Sequence, residues 1–102
     1  MSVLMNFAMF PTDKGGSVSQ YVSRIIKLIR RTHHRNQLTA MGTLVETETL
    51  TEALALIDEA YKTLEEDCQR VYVNVTIDIR KGNLGRIDDK VRSIEDKLEG
   101  KD

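Results

Sequence analysis

Cysteine and proline each occur once in these 102 residues, tryptophan is missing, and the aromatic side chains amount to three tyrosines and two phenylalanines. The lone Cys68 excludes an intrachain disulfide and fits a reducing compartment, so the cytoplasm is the expected location. With no basic partner evident to activate it, Cys68 reads as a small hydrophobe closing a helix. No apolar run approaches the roughly 20 residues of a membrane span. The opening MSVLMNFAMF lacks the basic region and small-residue cleavage site of a signal peptide, so no membrane partner is expected. A formal net charge of −1 leaves no global field to attract nucleic acid. Catalytic signatures are absent too: there is no H-E-x-x-H, no G-x-S-x-G, no P-loop and no cysteine pair at metal spacing. A binding protein is expected, with no enzymatic activity, cofactor or metal. The length suits one domain over residues 1–102 with a single two-layer core.

What is present begins with Arg70 to Gly82, RVYVNVTIDIRKG, whose strict alternation specifies a β-strand. Val71, Val73, Val75, Ile77 and Ile79 leave one side and call for a helical cover. Tyr72, Asn74, Thr76, Asp78 and Arg80 leave the other. Val3 to Phe10 alternates as a first, central strand that Pro11 ends, followed by a loop from Thr12 to Gly16. Ser17 and Gln20 form a capping-box pattern for a first helix, with Val18, Val22, Ile25 and Ile29 as its stripe, widened by Tyr21 and Leu28. Its basic end, Lys27, Arg30, Arg31, His33, His34 and Arg35, suits the negative pole of a helix dipole. The adjacent histidines would point about 100° apart on a helix, which argues against a shared metal.

Gln37 to Thr47 reads as a hairpin turning at Met41-Gly42, with Thr43 to Thr47 as the returning strand. Thr49 and Glu52 form a second capping box. The helix it opens has Leu50, Leu54, Ile57, Tyr61 and Leu64 as its stripe, flanked by Ala53 and Ala60. Its face of Glu52, Asp58, Glu59, Lys62, Glu65 and Glu66 is expected in water. A last helix carries Ile87, Val91, Ile94 and Leu98, one apolar residue per turn, a stripe too narrow for a core of its own. The order predicts an α+β, ferredoxin-like βαββαβ sandwich: a four-stranded antiparallel sheet, two helices on one face, and a C-terminal helix. The opposite face, with Leu4, Phe10 and Tyr72, is left bare, and self-association is expected to cover it.

Two polar groups stand out. Ser17, Ser19 and the Met41-Gly42-Thr43 turn fall at one end of this fold, while Glu46, Asp78 and Arg80 converge toward the other. Asp78 and Arg80, two apart on one strand face, are placed to brace each other or to clamp a polar ligand.

The motifs S-x-S-x-Y-V at Ser17 to Val22, M-G-T-L-V-E at Met41 to Glu46 and R-V-Y-V-N-V-T-I-D-I-R at Arg70 to Arg80 occur in order at this length. In them the chain resembles the small thiamine-binding protein family, related in fold to the YkoF-like proteins, over nearly its whole extent. The resemblance implies a ferredoxin-like subunit and a homotetramer built as a dimer of dimers. It also implies binding of thiamine or its hydroxymethylpyrimidine part without chemistry. Where family members often carry a second acidic residue this chain has Ile79, so a ligand role there rests on Asp78 and Arg80. Glu46 or Asp78 offers the carboxylate that a thiazolium calls for. Ser17, Ser19 and Thr43 offer hydroxyls, and Phe10, Met41 or Tyr72 a surface for rings. A regulatory oligomer sensing another small molecule, such as an amino acid, is the alternative. An RNA-binding module lacks its aromatic, basic strand motifs here, and a small hydrolase lacks an arginine beside Gly15-Gly16.

Overall fold

The computed structural model describes residues 1–32 and 34–100. Strand β1 (Ser2–Pro11) is the spine of a four-stranded antiparallel sheet ordered β2-β3-β1-β4. Along one edge it pairs with β3 (Gly42–Thr47), from Val3 opposite Thr47 to Phe7 opposite Thr43. Along the other it pairs over its full length with β4 (Val71–Arg80). Strand β2 (Arg35–Thr39) extends the sheet beyond β3. This is the expected ferredoxin-like arrangement. Pro11, expected just past the first strand, is its last residue, opposite Val71.

Alternation along β1 sends Val3, Met5, Phe7 and Met9 into the core. There they meet Ile25 and Ile29 of α1 (Ser19–Arg31) and Ala53, Leu56 and Ala60 of α2 (Leu50–Lys62), together with Leu64 and Cys68. Cys68 has the structural role expected of it, and burial pushes its thiol pKa up.

Helix α2 begins as expected: Thr49 accepts the Glu52 N–H at 3.2 Å, and its hydroxyl meets the Glu52 carboxylate. The Ser17–Gln20 box does not form. Helix α1 starts one residue later, with Val18 rather than Ser17 in the N-cap position and no side-chain cap. One cap bond stabilises by only about 1 kcal/mol, less than seating Ile25 and Ile29, so packing sets where this helix runs. The face of α2 also differs from its leucine stripe. Ala53, Leu56 and Ala60 are buried while Leu54 remains 51% exposed, because the small alanines let the helix approach its neighbours closely and the bulky residues flank that contact.

The hairpin turns at Ala40-Met41, one residue earlier than expected. The Thr39 hydroxyl accepts from the Met41 N–H at 3.2 Å and donates to the Gly42 carbonyl at 2.8 Å. A side chain at Gly42 would stand 2.8 Å from Asn6 Oδ1 and 3.1 Å from the Phe7 carbonyl oxygen, so glycine is demanded by close approach.

Two expectations of cover are only half met. Strand β4 is an edge strand, and of its β-branched face only Val71 and Ile77 pack on the core; Val73, Val75 and Ile79 lie 36–49% exposed. Helix α3 (Arg86–Leu98) buries Ile87 but leaves Val91, Ile94 and Leu98 in solvent. The described chain is accordingly elongated, with extents of 50 × 28 × 21 Å.

The phase of α2 is directly testable. Leu56→Ala should cost about 2–4 kcal/mol of unfolding free energy, whereas Leu54→Ala should cost less than about 1 kcal/mol. Urea denaturation midpoints of the two variants decide which face is inside.

Candidate functional site

The two polar groups read from the sequence lie at opposite ends of β1 and meet different fates. At the hairpin end β3 stops opposite Phe7, so Ala8, Met9 and Phe10 have no neighbour on that side of β1. The first two turns of α1 and the β2–β3 turn border the gap. The result is a cleft of about 310 Å³ walled by Met9, Phe10, Val22, Ile26 and Leu38, with Met41, Gly42 and Thr43 at the turn. Its lining contains no charged side chain. Val22, Ile26 and Leu38 also wall a neighbouring groove of about 360 Å³, whose remaining lining is Ser19, Ser23, Lys27 and Arg30. Of the four candidates expected to gather here beside Gly42, Met41 and Thr43 line the cleft and Ser19 the groove. Ser17 is exposed and lines neither.

At the other end Glu46 and Asp78 are joined by a residue that sequence reasoning missed. The Arg86 guanidinium, only 6% exposed, donates from Nη1 to Asp78 Oδ2 at 2.9 Å and from Nε to the Ser2 hydroxyl at 2.9 Å. Its Nη2 donates to the Ser2 and Asp78 carbonyls at 3.0 and 2.6 Å. The buried Glu46 carboxylate accepts from the Ser2 hydroxyl and from the backbone N–H groups of Gly85 and Arg86. Gly85 reaches this position in a left-handed conformation (φ 99°) that favours glycine. Helix α3 is thus fastened at its N-terminus, where a carboxylate also complements the helix dipole. The expected Asp78–Arg80 brace is not made: Asp78 pairs with Arg86 and with Lys90 at 3.1 Å. Arg80 stays exposed and lines a surface depression together with Lys81, Asn83, Arg86 and Lys90. A glycine before an arginine at a helix start was the one available signal, and it says nothing about contact with Ser2, 84 residues away.

The basic end of α1 is dispersed. Arg35 belongs to β2 and pairs with Asp88 of α3 at 2.8 Å, and His34 lies 3.9 Å from Glu52. His33 lies outside the described residues, so the histidine pair is not placed.

Burial pushes the Glu46 carboxyl upward, but the Ser2 hydroxyl, the two backbone donors and the Arg86 charge outweigh it and hold its pKa below the ordinary value. The Lys90 ammonium, with Arg86, holds Asp78 below its ordinary value against partial desolvation. Both folded-state pKa values are depressed, so the fastening is fully present above the ordinary carboxylate range and is lost as pH falls through the depressed values. Amide-exchange protection in α3 should therefore collapse in acid, below about pH 4, before that of β1. Glu46→Gln should flatten the acid dependence. At neutral pH Glu46→Ala should cost on the order of 3 kcal/mol, because it leaves the buried Ser2 hydroxyl and the Gly85 and Arg86 backbone N–H groups without their acceptor.

Relatives carry this architecture across wide evolutionary distance. A UPF0045 protein of Methanocaldococcus jannaschii is 34% identical over 92 residues, covering 90% of this chain and 91% of its own length. The crystal structure of a hypothetical protein from that organism superposes with a TM-score of 0.82 at 33% identity, covering 92% of this chain and 96% of the other. A candidate thiamine biosynthesis/salvage protein of Thermotoga maritima shares the fold, with a TM-score of 0.79 at 22% identity over 92% of this chain and 99% of its own. The model of the thiamine-binding protein family matches residues 5–95, which include the whole cleft and the Glu46–Arg86 fastening. This chain belongs to the thiamine-binding protein family.

Proposed function

We propose that this protein binds the hydroxymethylpyrimidine ring, free or as part of thiamine, without transforming it, and that it acts as a homo-oligomer in the cytoplasm. The observation that carries the reading is the cleft at the hairpin end. About 310 Å³ lies at the lower end of the roughly 300–1,000 Å³ typical of small-molecule sites, a size suited to one substituted ring. Phe10, Val22, Ile26, Leu38 and Met41 offer apolar surface for its faces, and Thr43 offers a hydroxyl for its polar edge. Among the described lining residues there is no carboxylate, imidazole or thiol to act as base or nucleophile, which favours binding over catalysis. Met41, Gly42 and Thr43 are therefore the site residues we retain in the cleft. Glu46 and Asp78 are assigned to fastening α3. The absence of a carboxylate from the lining disfavours the alternative of an amino-acid sensor, since the ligand's ammonium would go unanswered.

Self-association is supported by three apolar features. The open sheet face carries Phe10 and Tyr72 with ring centroids 5.5 Å apart and half-buried Leu4 and Leu44. The β4 edge is free, and α3 presents a bare stripe. The lone buried cysteine is the argument for a reducing compartment.

Titration calorimetry with hydroxymethylpyrimidine and with thiamine should give saturable heat. Val22→Phe, which fills the cleft, should weaken binding at least tenfold while the protein stays folded by circular dichroism; no heat at millimolar ligand would refute the reading. Sedimentation equilibrium should return a multiple of the 11.6 kDa chain mass, shifted toward monomer by Tyr72→Arg on the open face. A wild-type monomer at tens of micromolar would rule the assembly out.

A further inference from the structure

The groove beside the cleft supplies what the cleft lacks. Ser19, Ser23, Lys27 and Arg30 follow one another at intervals of four, four and three residues and so share one face of α1. Arg24, Arg35, Lys62, Arg86, Lys90 and Arg92 each have a carboxylate within 4 Å. Lys27 and Arg30 have none among the described residues, and no acidic side chain lines their groove. Ser23 spends its hydroxyl proton on the Gln20 carbonyl at 2.7 Å, whereas the exposed Ser19 hydroxyl remains able to donate. Cleft and groove meet at Val22, Ile26 and Leu38, so a molecule seated in one extends into the other past a shared apolar wall. The combined site is thus neutral in the cleft and cationic along the groove, at Lys27 and Arg30.

We infer that the groove holds the phosphate of a phosphorylated ligand, so that the preferred ligand is a phosphate ester of the pyrimidine or of thiamine rather than the unphosphorylated compound. This rests on the reading above that the cleft takes the ring. The charge balance argues for it. Thiamine's thiazolium is a cation, and neither cavity carries a carboxylate to answer it. Moving toward Lys27 and Arg30, an unmodified thiamine meets like charge. A phosphate ester brings about −1.5 to −2 charges near neutral pH and acceptor oxygens matched to the Arg30 guanidinium and the Lys27 ammonium.

Calorimetry at low salt with thiamine and thiamine monophosphate, on the wild type and on Lys27→Gln/Arg30→Gln, tests this. The wild type should bind the monophosphate at least tenfold tighter. The double variant should lose that preference, and Arg31→Gln, a cation of the same helix outside the groove, should keep it. Raising the salt to 0.5 M should shrink the preference. Equal affinities in the wild type would overturn the inference and leave the cleft reading standing. A preference that survives in the double variant would overturn it by placing the phosphate elsewhere. Absence of binding by either compound would overturn both.

Discussion

A guanidinium withdrawn from water is tolerated only if nearly all its donors are met, and Arg86 meets this condition through Ser2 and Asp78, while Glu46 holds its backbone N–H. The contacts draw on the first residues of β1, the ends of β3 and β4, and the loop before α3. The Arg86 side chain therefore ties β1 and β4 to the last helix, while the backbone N–H groups of Gly85 and Arg86 tie it to Glu46 of β3. Together these contacts engage the two carboxylates that stand out at that end of the sheet.

That engagement shapes the rest of the molecule. With Glu46 and Asp78 engaged, the hairpin end is left with an uncharged cleft and, beside it, two cations without carboxylate partners. The division of charge follows from topology. Strands β3 and β4 run antiparallel to β1, so their C-terminal carboxylates meet Ser2 and Leu4 at its start, while the stretch where β3 gives out lies at its far end. A cleft in such a sheet is most easily made where a strand gives out, because the backbone there has no partner to close the space.

The same economy of cover leaves apolar surface elsewhere. Helices α1 and α2 pack over β1, and the edge strand β4 projects past them with Val73, Val75 and Ile79 showing. Helix α3 is fastened at one end only and carries Val91, Ile94 and Leu98 away from the domain. An edge strand, a bare sheet face and a half-docked amphipathic helix in one chain of this size are surfaces soluble proteins normally cover.

Sequence alone determined what depends on local spacing. The alternation of Val3 to Met9 and of Val71 to Ile79 specified strands, the Thr49–Glu52 box opened α2, and the element order led to the ferredoxin-like sheet. Tertiary structure decided what depends on which distant groups compete for the same space or charge. It left the Ser17 cap unused because burying Ile25 and Ile29 outweighs one hydrogen bond, and it turned α2 onto Ala53, Leu56 and Ala60 rather than Leu50 and Leu54. Asp78 went to Arg86 rather than Arg80, and the cleft walls came from three separate elements. A strand's pattern is carried by side chains two residues apart, whereas Ser2 and Arg86 become neighbours only after the chain has closed on itself, and no local period encodes that contact.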